Sequence, residues 1–292
     1  MTRNKRGNYP YAFLIPALAI FGILFLAPTL TGFYYSLTDW NINKKGINFI
    51  GLQNFRELFA DHKLIAAFWH TIVYSISVTV LRNLAGLALA LMLNESLKLK
   101  NLFRTVFFLP YVISPIVIGY LFTAIYNPGH GLINVALRAI GLGALAGDWL
   151  NDPALALAST IMVDVWRTSG FAMVIYLAGL QAIPVELYES ASIDGSRYWT
   201  TFGRIVFPLI APSLTINLVL SLIGTMKVFV MILVLTNGGP GYTTEVLNTY
   251  IMSAFSLGLY GQGTAANILL IAVIMLICFP VLTFLQKREV AL

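Results

Sequence analysis

A single cysteine, Cys278, stands in 292 residues, and it lies inside an apolar run. One cysteine excludes an internal disulfide and any CxxC metal or redox motif, so Cys278 reads as a small packing residue. Charge is scarce as well. Asp, Glu, Lys and Arg make up 10% of the chain against 58% hydrophobic residues, where a soluble domain carries about 25% charged residues. With a mean hydropathy of +0.81, too little polar surface exists to cover a water-facing globule. The GxxxxGK[ST] phosphate loop is missing: Gly238, Gly239 and Gly241 are not followed by Lys and Ser or Thr. No HExxH motif occurs, and His62, His70 and His130 are scattered. No nucleophile–base pair stands out. These gaps leave no basis for ATP hydrolysis, metal chemistry or covalent catalysis by this chain, and no cofactor is expected on it. The net charge of +6 sits in short clusters beside apolar runs. That is the pattern of membrane topology signals, not of a nucleic-acid surface.

What the chain has in quantity is long apolar runs. A membrane helix needs about 20 mostly apolar residues. Six stretches qualify, over approximately 12–37, 71–93, 105–126, 155–180, 205–235 and 266–286. The expected fold is therefore an all-α integral membrane protein with six transmembrane helices, in one membrane domain covering 1–292. Arg3, Lys5 and Arg6 before the first run give it the look of a signal peptide. The run exceeds the roughly 7–15 residues of such a segment and ends without a small-residue cleavage site. An uncleaved first span is the expectation. Pro110 and Pro115, and Pro208 and Pro212, fall in the third and fifth runs, where lipid-embedded helices tolerate them as kinks.

Lys and Arg set the orientation. With both termini in the cytoplasm, Arg3, Lys5, Arg6, Lys98, Lys100, Arg104, Arg197, Arg204, Lys287 and Arg288 lie inside, and Lys44, Lys45, Arg56, Lys63 and Arg138 outside. The first external loop, 38–70, reads as a partly ordered cap. The second, 127–152, holds a turn and a short amphipathic piece around 132–140. The third, 237–263, is rich in Gly and Thr.

Charged residues at mid-membrane cost at least about 2.5–3.5 kcal/mol each, so they face protein or water. Asp164 and Arg167 are three apart and share a helix face. They form an internal ion pair, or one of them meets a substrate hydroxyl. Lys227 lines a pathway or snorkels outward. Arg82 and Asn83 are candidates for a partner interface. Trp166, Tyr176, Phe229 and Asn267 suit a sugar by residue type and depth alone, since sugars combine apolar ring faces with a belt of hydroxyls.

One inside loop carries a motif. From Gln181 to Trp199 it reads as a short helix at about 184–194, with Pro184 at the first helical position, Glu186 in the first turn and Gly195 as its stop. Glu189-Ser190-Ala191, three residues, Gly195, nine residues, then Ile205-Val206-Phe207-Pro208 resembles the EAA loop of permeases in binding-protein-dependent ABC importers. The family form is E-A-A-x3-G-x9-I-x-L-P, and Ser190 and Phe207 are modest departures from it. Leu180-Gln-Ala-Ile-Pro-Val-Glu-Leu-Tyr-Glu189 and Ile193-Asp194-Gly195 are similar to the sugar-permease branch, the maltose-type and glycerol-3-phosphate-type subunits. Thr236-Asn-Gly-Gly-Pro-Gly-Tyr-Thr-Thr-Glu245, Ser36-Leu-Thr-Asp-Trp40, Gly51-Leu-Gln-Asn-Phe55 and Phe103-Arg-Thr-Val-Phe-Phe-Leu-Pro110 extend the resemblance over nearly the whole chain.

The resemblance implies a type I ABC importer permease in the bacterial inner membrane, not an enzyme. Its partners would be a second and different permease subunit, two cytoplasmic ATPases that bind ATP and Mg, and an external solute-binding protein. The substrate would be a carbohydrate, or alternatively glycerol-3-phosphate or another polyol phosphate. Glu186, Glu189, Ser190, Ala191, Asp194, Gly195 and Pro208 would couple the chain to an ATPase, with Glu189 meeting a basic group in the ATPase cleft. Two rival classes fit less well. An intramembrane enzyme needs clustered acids or histidines at one face. A secondary transporter leaves the loop unexplained, and no inverted repeat is visible.

Overall fold

The computed structural model describes residues 11–95, 98–287 and 289. Of the basic residues that set orientation, Arg3, Lys5, Arg6 and Arg288 lie outside them. The described chain is nearly all helical and divides into two compact units. One holds the residues up to Ala60 together with Ile251–Leu269, the other Asp61–Tyr250 and the chain from Leu270.

In the first unit, helix α1 (Ile15–Ser36) has a mean hydropathy of 1.9 and, apart from the buried Ser36 at its end, no buried residue. A helix apolar all round and uncovered suits lipid or a neighbouring chain. The loop after it is folded, as an ordered cap requires. Asn54 of α2 (Gln53–Ala60) donates to the carbonyl oxygens of Ser36 and Thr38, each at 2.8 Å. An isolated β-bridge pairs Thr38 with Phe49. Hydrogen bonds from the Asn48 backbone and side chain, then from Lys44, hold the Asp39 carboxyl down at a pKa of about 2. The Trp40 ring lies 4.3 Å from Tyr35 and 4.8 Å from Tyr260.

The second unit is built on α3 (His62–Asn94), whose 33 residues reach about 50 Å at ~1.5 Å per residue. That exceeds a ~30 Å hydrocarbon core. The helix therefore starts well before the expected 71, where the Asp61 carboxylate caps it by accepting the Lys63 N–H at 2.8 Å.

The third span departs from expectation. In place of one kinked helix there are two, α4 (Lys100–Val112) and α5 (Pro115–Ile125), bent by 96°. Pro115 is the cause. A residue before proline is pushed out of the helical region, and Ile113 and Ser114 have ψ of 140° and 133°. Pro110 stays inside α4. An external helix α6 (Leu132–Ala139) follows, tied down by Asn134, which donates to Gly147 O at 2.9 Å and accepts from Trp149 Nε1 at 2.8 Å.

The long helix α7 (Ala156–Gln181) leads into α8 (Val185–Ile193) and α9 (Tyr198–Leu209). The expected fifth span over 205–235 is not continuous either. Helix α9 meets α10 (Ala211–Met226) at a 66° bend, Lys227–Phe229 interrupts the helix, and α11 (Val230–Leu235) resumes it. The Gly- and Thr-rich third loop contains α12 (Leu247–Ser256), and α13 (Tyr260–Gln286) closes the described fold. Among the described residues four helices are long and apolar enough to cross a membrane, or up to six spans if each bent pair is one.

Small residues let the helices touch. A Cβ on Gly86 of α3 would stand 2.6 Å from the Ala172 Cβ of α7. A Cβ on Gly170 would overlap the Phe107 carbonyl oxygen and lie 2.6 Å from its carbon. Backbone cannot rotate away as a side chain can. Gly170→Ala, the smallest addition, is therefore expected to cost about 1–3 kcal/mol by overpacking. The amount of monodisperse protein recovered from membranes should fall sharply, while Gly224→Ala, which meets open space, should not change it. Equal yields would show that α4 shifts freely.

Polar groups stitch the same helices. The Tyr176 hydroxyl donates to Asn83 Oδ1 at 2.7 Å, and Asn83 Nδ2 donates to Ser221 Oγ at 3.0 Å. Asn83, considered above for a partner interface, is instead buried and spent on joining α3, α7 and α10.

Candidate functional site

The loop that carries the sequence motif is ordered by its own ends. Pro184 stands one place earlier than expected, at the N-cap with ψ 135°, and Val185 opens α8. Glu186 falls in the first turn, where the helix dipole favours an anion. At the other end Gly195 has φ +68°. Its N–H donates to Ser192 O at 3.0 Å and the next N–H, of Ser196, to Ala191 O at 2.9 Å. This pair of bonds is the Schellman termination that a left-handed glycine permits. A Cβ on Gly195 would meet nothing within 4 Å. The turn, and no close approach within this chain, is what demands glycine there.

Helix α8 presents two faces. Ala191 is buried, and Leu187 and Tyr188 pack against the cluster of Leu180, Ile183, Val206 and Ile210. Pro208, half-buried, lies at the end of α9, two residues before the bend. The outer face carries Glu186, Glu189, Ser190 and Asp194, all exposed. Around them Ile193 is 86% and Trp199 75% exposed. These apolar side chains stand uncovered beside the acidic groups of α8. The inner face of α8 packs against the ends of α3, α7 and α9.

A second cluster lies within the bundle. Arg167 Nη2 and Nε donate to Asp164 Oδ1 at 2.9 and 3.2 Å. The Tyr74 hydroxyl of α3 donates to Asp164 Oδ2 at 3.0 Å. Arg167 lies 6.0 Å from the Tyr111 ring centre, Tyr111 stacks on Phe171 at 4.5 Å, and Arg82 lies 5.7 Å from the Phe171 ring centre. Two cations thus flank two stacked rings.

Residues 82–289 match the family described as the inner membrane component of binding-protein-dependent transport systems. The chain belongs to this family. The permease is 38% identical to the probable ABC transporter permease protein YurN of Bacillus subtilis, over 98% of this chain and 97% of that one. It is 36% identical to the probable starch degradation products transport system permease protein AmyD of Thermoanaerobacterium thermosulfurigenes, again over 98% and 97%. Among solved structures it superposes with a TM-score of 0.82 and 27% identity on a bacterial ABC transporter involved in import of the acidic polysaccharide alginate, covering 95% of this chain and 94% of that one. Its fold is accordingly that of an ABC importer permease, and it is a transport component.

The residues considered for a substrate pathway separate in the permease. Asp164 and Arg167 are an ion pair. Trp166 turns an exposed side chain and lies 5.3 Å from the Phe122 ring. Lys227, exposed, is the C-cap of α10, and Phe229, half-buried, the N-cap of α11, so both sit at the break in the fifth span. Asn267 is exposed on α13, in the first unit.

Sequence reasoning missed Tyr74, Tyr111 and Phe171, which complete the charge cluster. Their partners come from other helices, so no spacing signals them. It also missed Glu245 in the third loop. This carboxyl is buried with Oε2 unpartnered, and burial raises its pKa against the pull of Lys63. Cys278 is buried and free.

Proposed function

We propose that this permease is one of two membrane subunits of an ATP-driven importer that carries a saccharide across the bacterial cytoplasmic membrane. One observation supports the substrate class above others: near full-length similarity to a permease named for starch degradation products. The alginate importer supports it independently. The second permease subunit is expected to be a different chain. Two cytoplasmic ATPases supply ATP and Mg binding, and an external binding protein delivers the saccharide.

Helix α8 is the coupling element. Glu186, Glu189, Ser190, Asp194 and the Gly195 turn face the ATPase, and Ala191 and Pro208 tie that helix to the bundle. Closing of the ATPases around ATP moves α8 and shifts the bundle between two states, a two-state element biased by nucleotide. Trp166, Phe229, Lys227 and Asn267 are the candidates for saccharide contact, with Asp164 and Arg167 setting the charge of the wall.

The test is ATPase activity of the assembled complex in liposomes, with binding protein and a panel of sugars outside. Stimulation by one saccharide class is the expected result. A complex that responds only to a polyol phosphate, or a chain that assembles with no ATPase, would defeat the proposal.

A further inference from the structure

The charge cluster does not balance. Arg82 lies at the midpoint of the apolar run 71–93 and is 6% exposed. Its Nε is buried without a hydrogen-bond partner, and among the described residues no ion pair reaches it. Asp164 is the sole carboxylate on α3, α4, α5, α7, α10 and α11, and it is already spent. One of its oxygens takes both bonds from Arg167 and the other takes Tyr74. Arg82 and Arg167 against Asp164 leave one positive charge uncompensated.

A guanidinium stays protonated even when desolvated, so it cannot escape by neutralising. The Phe171 face at 5.7 Å attracts the cation but does not cancel its charge. Intramembrane cations of this kind mark substrate pathways. The local backbone agrees. Tyr111, stacked on the same Phe171, stands in the last turn of α4, beside the extended Ile113–Ser114 break. Unwound backbone at membrane depth is tolerated where it is buried in protein or lines a water-filled cavity. Broken helices frame the binding sites of many transporters.

We propose that Arg82 is a specificity-determining residue that receives an anionic oxygen of the transported solute. Taken with the saccharide reading above, on which it rests, the cargo is an acidic saccharide carrying a carboxylate or a phosphate. A neutral sugar would offer hydroxyl oxygens but leave the charge standing. An oxyanion satisfies both the free N–H groups and the charge, and guanidinium geometry suits it. Asp164 keeps Arg167 occupied, which leaves Arg82 as the receptor.

The complete complex in liposomes, with its binding protein, would be given three probes: a uronic-acid tetrasaccharide, the neutral tetrasaccharide of the same linkage, and a sugar phosphate. Uptake of one acidic probe is expected, and which one names the anion. Arg82→Gln should cut that uptake about ten-fold or more, as loss of a charged hydrogen bond does. Assembly and the binding protein's own affinity should not change. Arg82→Lys, which keeps the charge, should raise KM more than it lowers kcat. Robust uptake of the neutral probe, unaffected by Arg82→Gln, overturns the proposal and leaves the saccharide importer intact. Loss of permease pairing in both Arg82 variants makes Arg82 a subunit contact and overturns it too. No response to either acidic probe while a neutral sugar of the wider panel is taken up overturns the proposal alone; no response to any saccharide of that panel sinks the saccharide reading with it.

Discussion

Gly195→Asp is expected to abolish saccharide uptake by the assembled complex while the permease itself stays folded. Aspartate, like asparagine, tolerates the left-handed region, so the damage comes from the new carboxylate, which opposes the dipole at a helix C-terminus by about 0.3–1 kcal/mol and puts a charge into the proposed docking face. The core is spared, because Leu187 and Tyr188 still anchor α8 from its inner side. The damage falls on the exposed end of the helix, where the ATPase is to dock. Uptake should drop at least about ten-fold, the factor that 1.4 kcal/mol represents, with ATP hydrolysis no longer stimulated by sugar. Gly195→Asn separates the causes, since asparagine tolerates the left-handed region without adding charge. It should retain most uptake. Glu189→Lys should uncouple by another route, reversing an exposed charge that no side chain of the described residues engages. Normal sugar-stimulated ATPase and uptake in both Gly195→Asp and Glu189→Lys would remove α8 from the coupling role.

Asp164→Ala is expected to be among the most destabilising single changes in the membrane bundle. It leaves Arg167 with no carboxylate, the Tyr74 hydroxyl without its acceptor, and a second uncompensated cation beside Arg82. Breaking a buried pair from one side costs about 3–5 kcal/mol, whereas replacing both members by apolar groups is often neutral. The double change Asp164→Leu with Arg167→Leu should therefore recover most of the lost stability. The readout is the temperature at which detergent-solubilised complex loses its monodisperse elution peak. It should fall clearly for Asp164→Ala and return toward the parent for the double variant. An unchanged midpoint in Asp164→Ala would mean that water, not Asp164, solvates the arginines.

The two results probe different parts of one machine. The first acts where α8 meets a partner, and the second acts in the bundle that α8 would move. Helix α7 is common to both. It carries Asp164 and Arg167 in its first half and ends at the turn into α8.

The amino-acid sequence by itself determined the membrane class, because no backbone can cross lipid unless its hydrogen bonds close within a segment, and apolar runs long enough for that are visible directly. It put Asp164 and Arg167 on one helix face, because a three-residue spacing is a local fact, and the structure made them an ion pair. The Gly195 stop was equally local, since the left-handed conformation is a property of one residue. Family membership followed from motif spacing for the same reason. Tertiary structure alone decided the rest. Proline placed breaks near 113 and 210, but whether each became a gentle kink or bends of 96° and 66° depended on what packs beside them. Tyr74 meets Asp164 across 90 residues of chain, Asn83 turned inward to Tyr176 instead of outward to a partner, and Arg82 was left with no ion-pair partner among the described residues. These are long-range matters of which side chains the packed helices bring face to face, and no local periodicity encodes them.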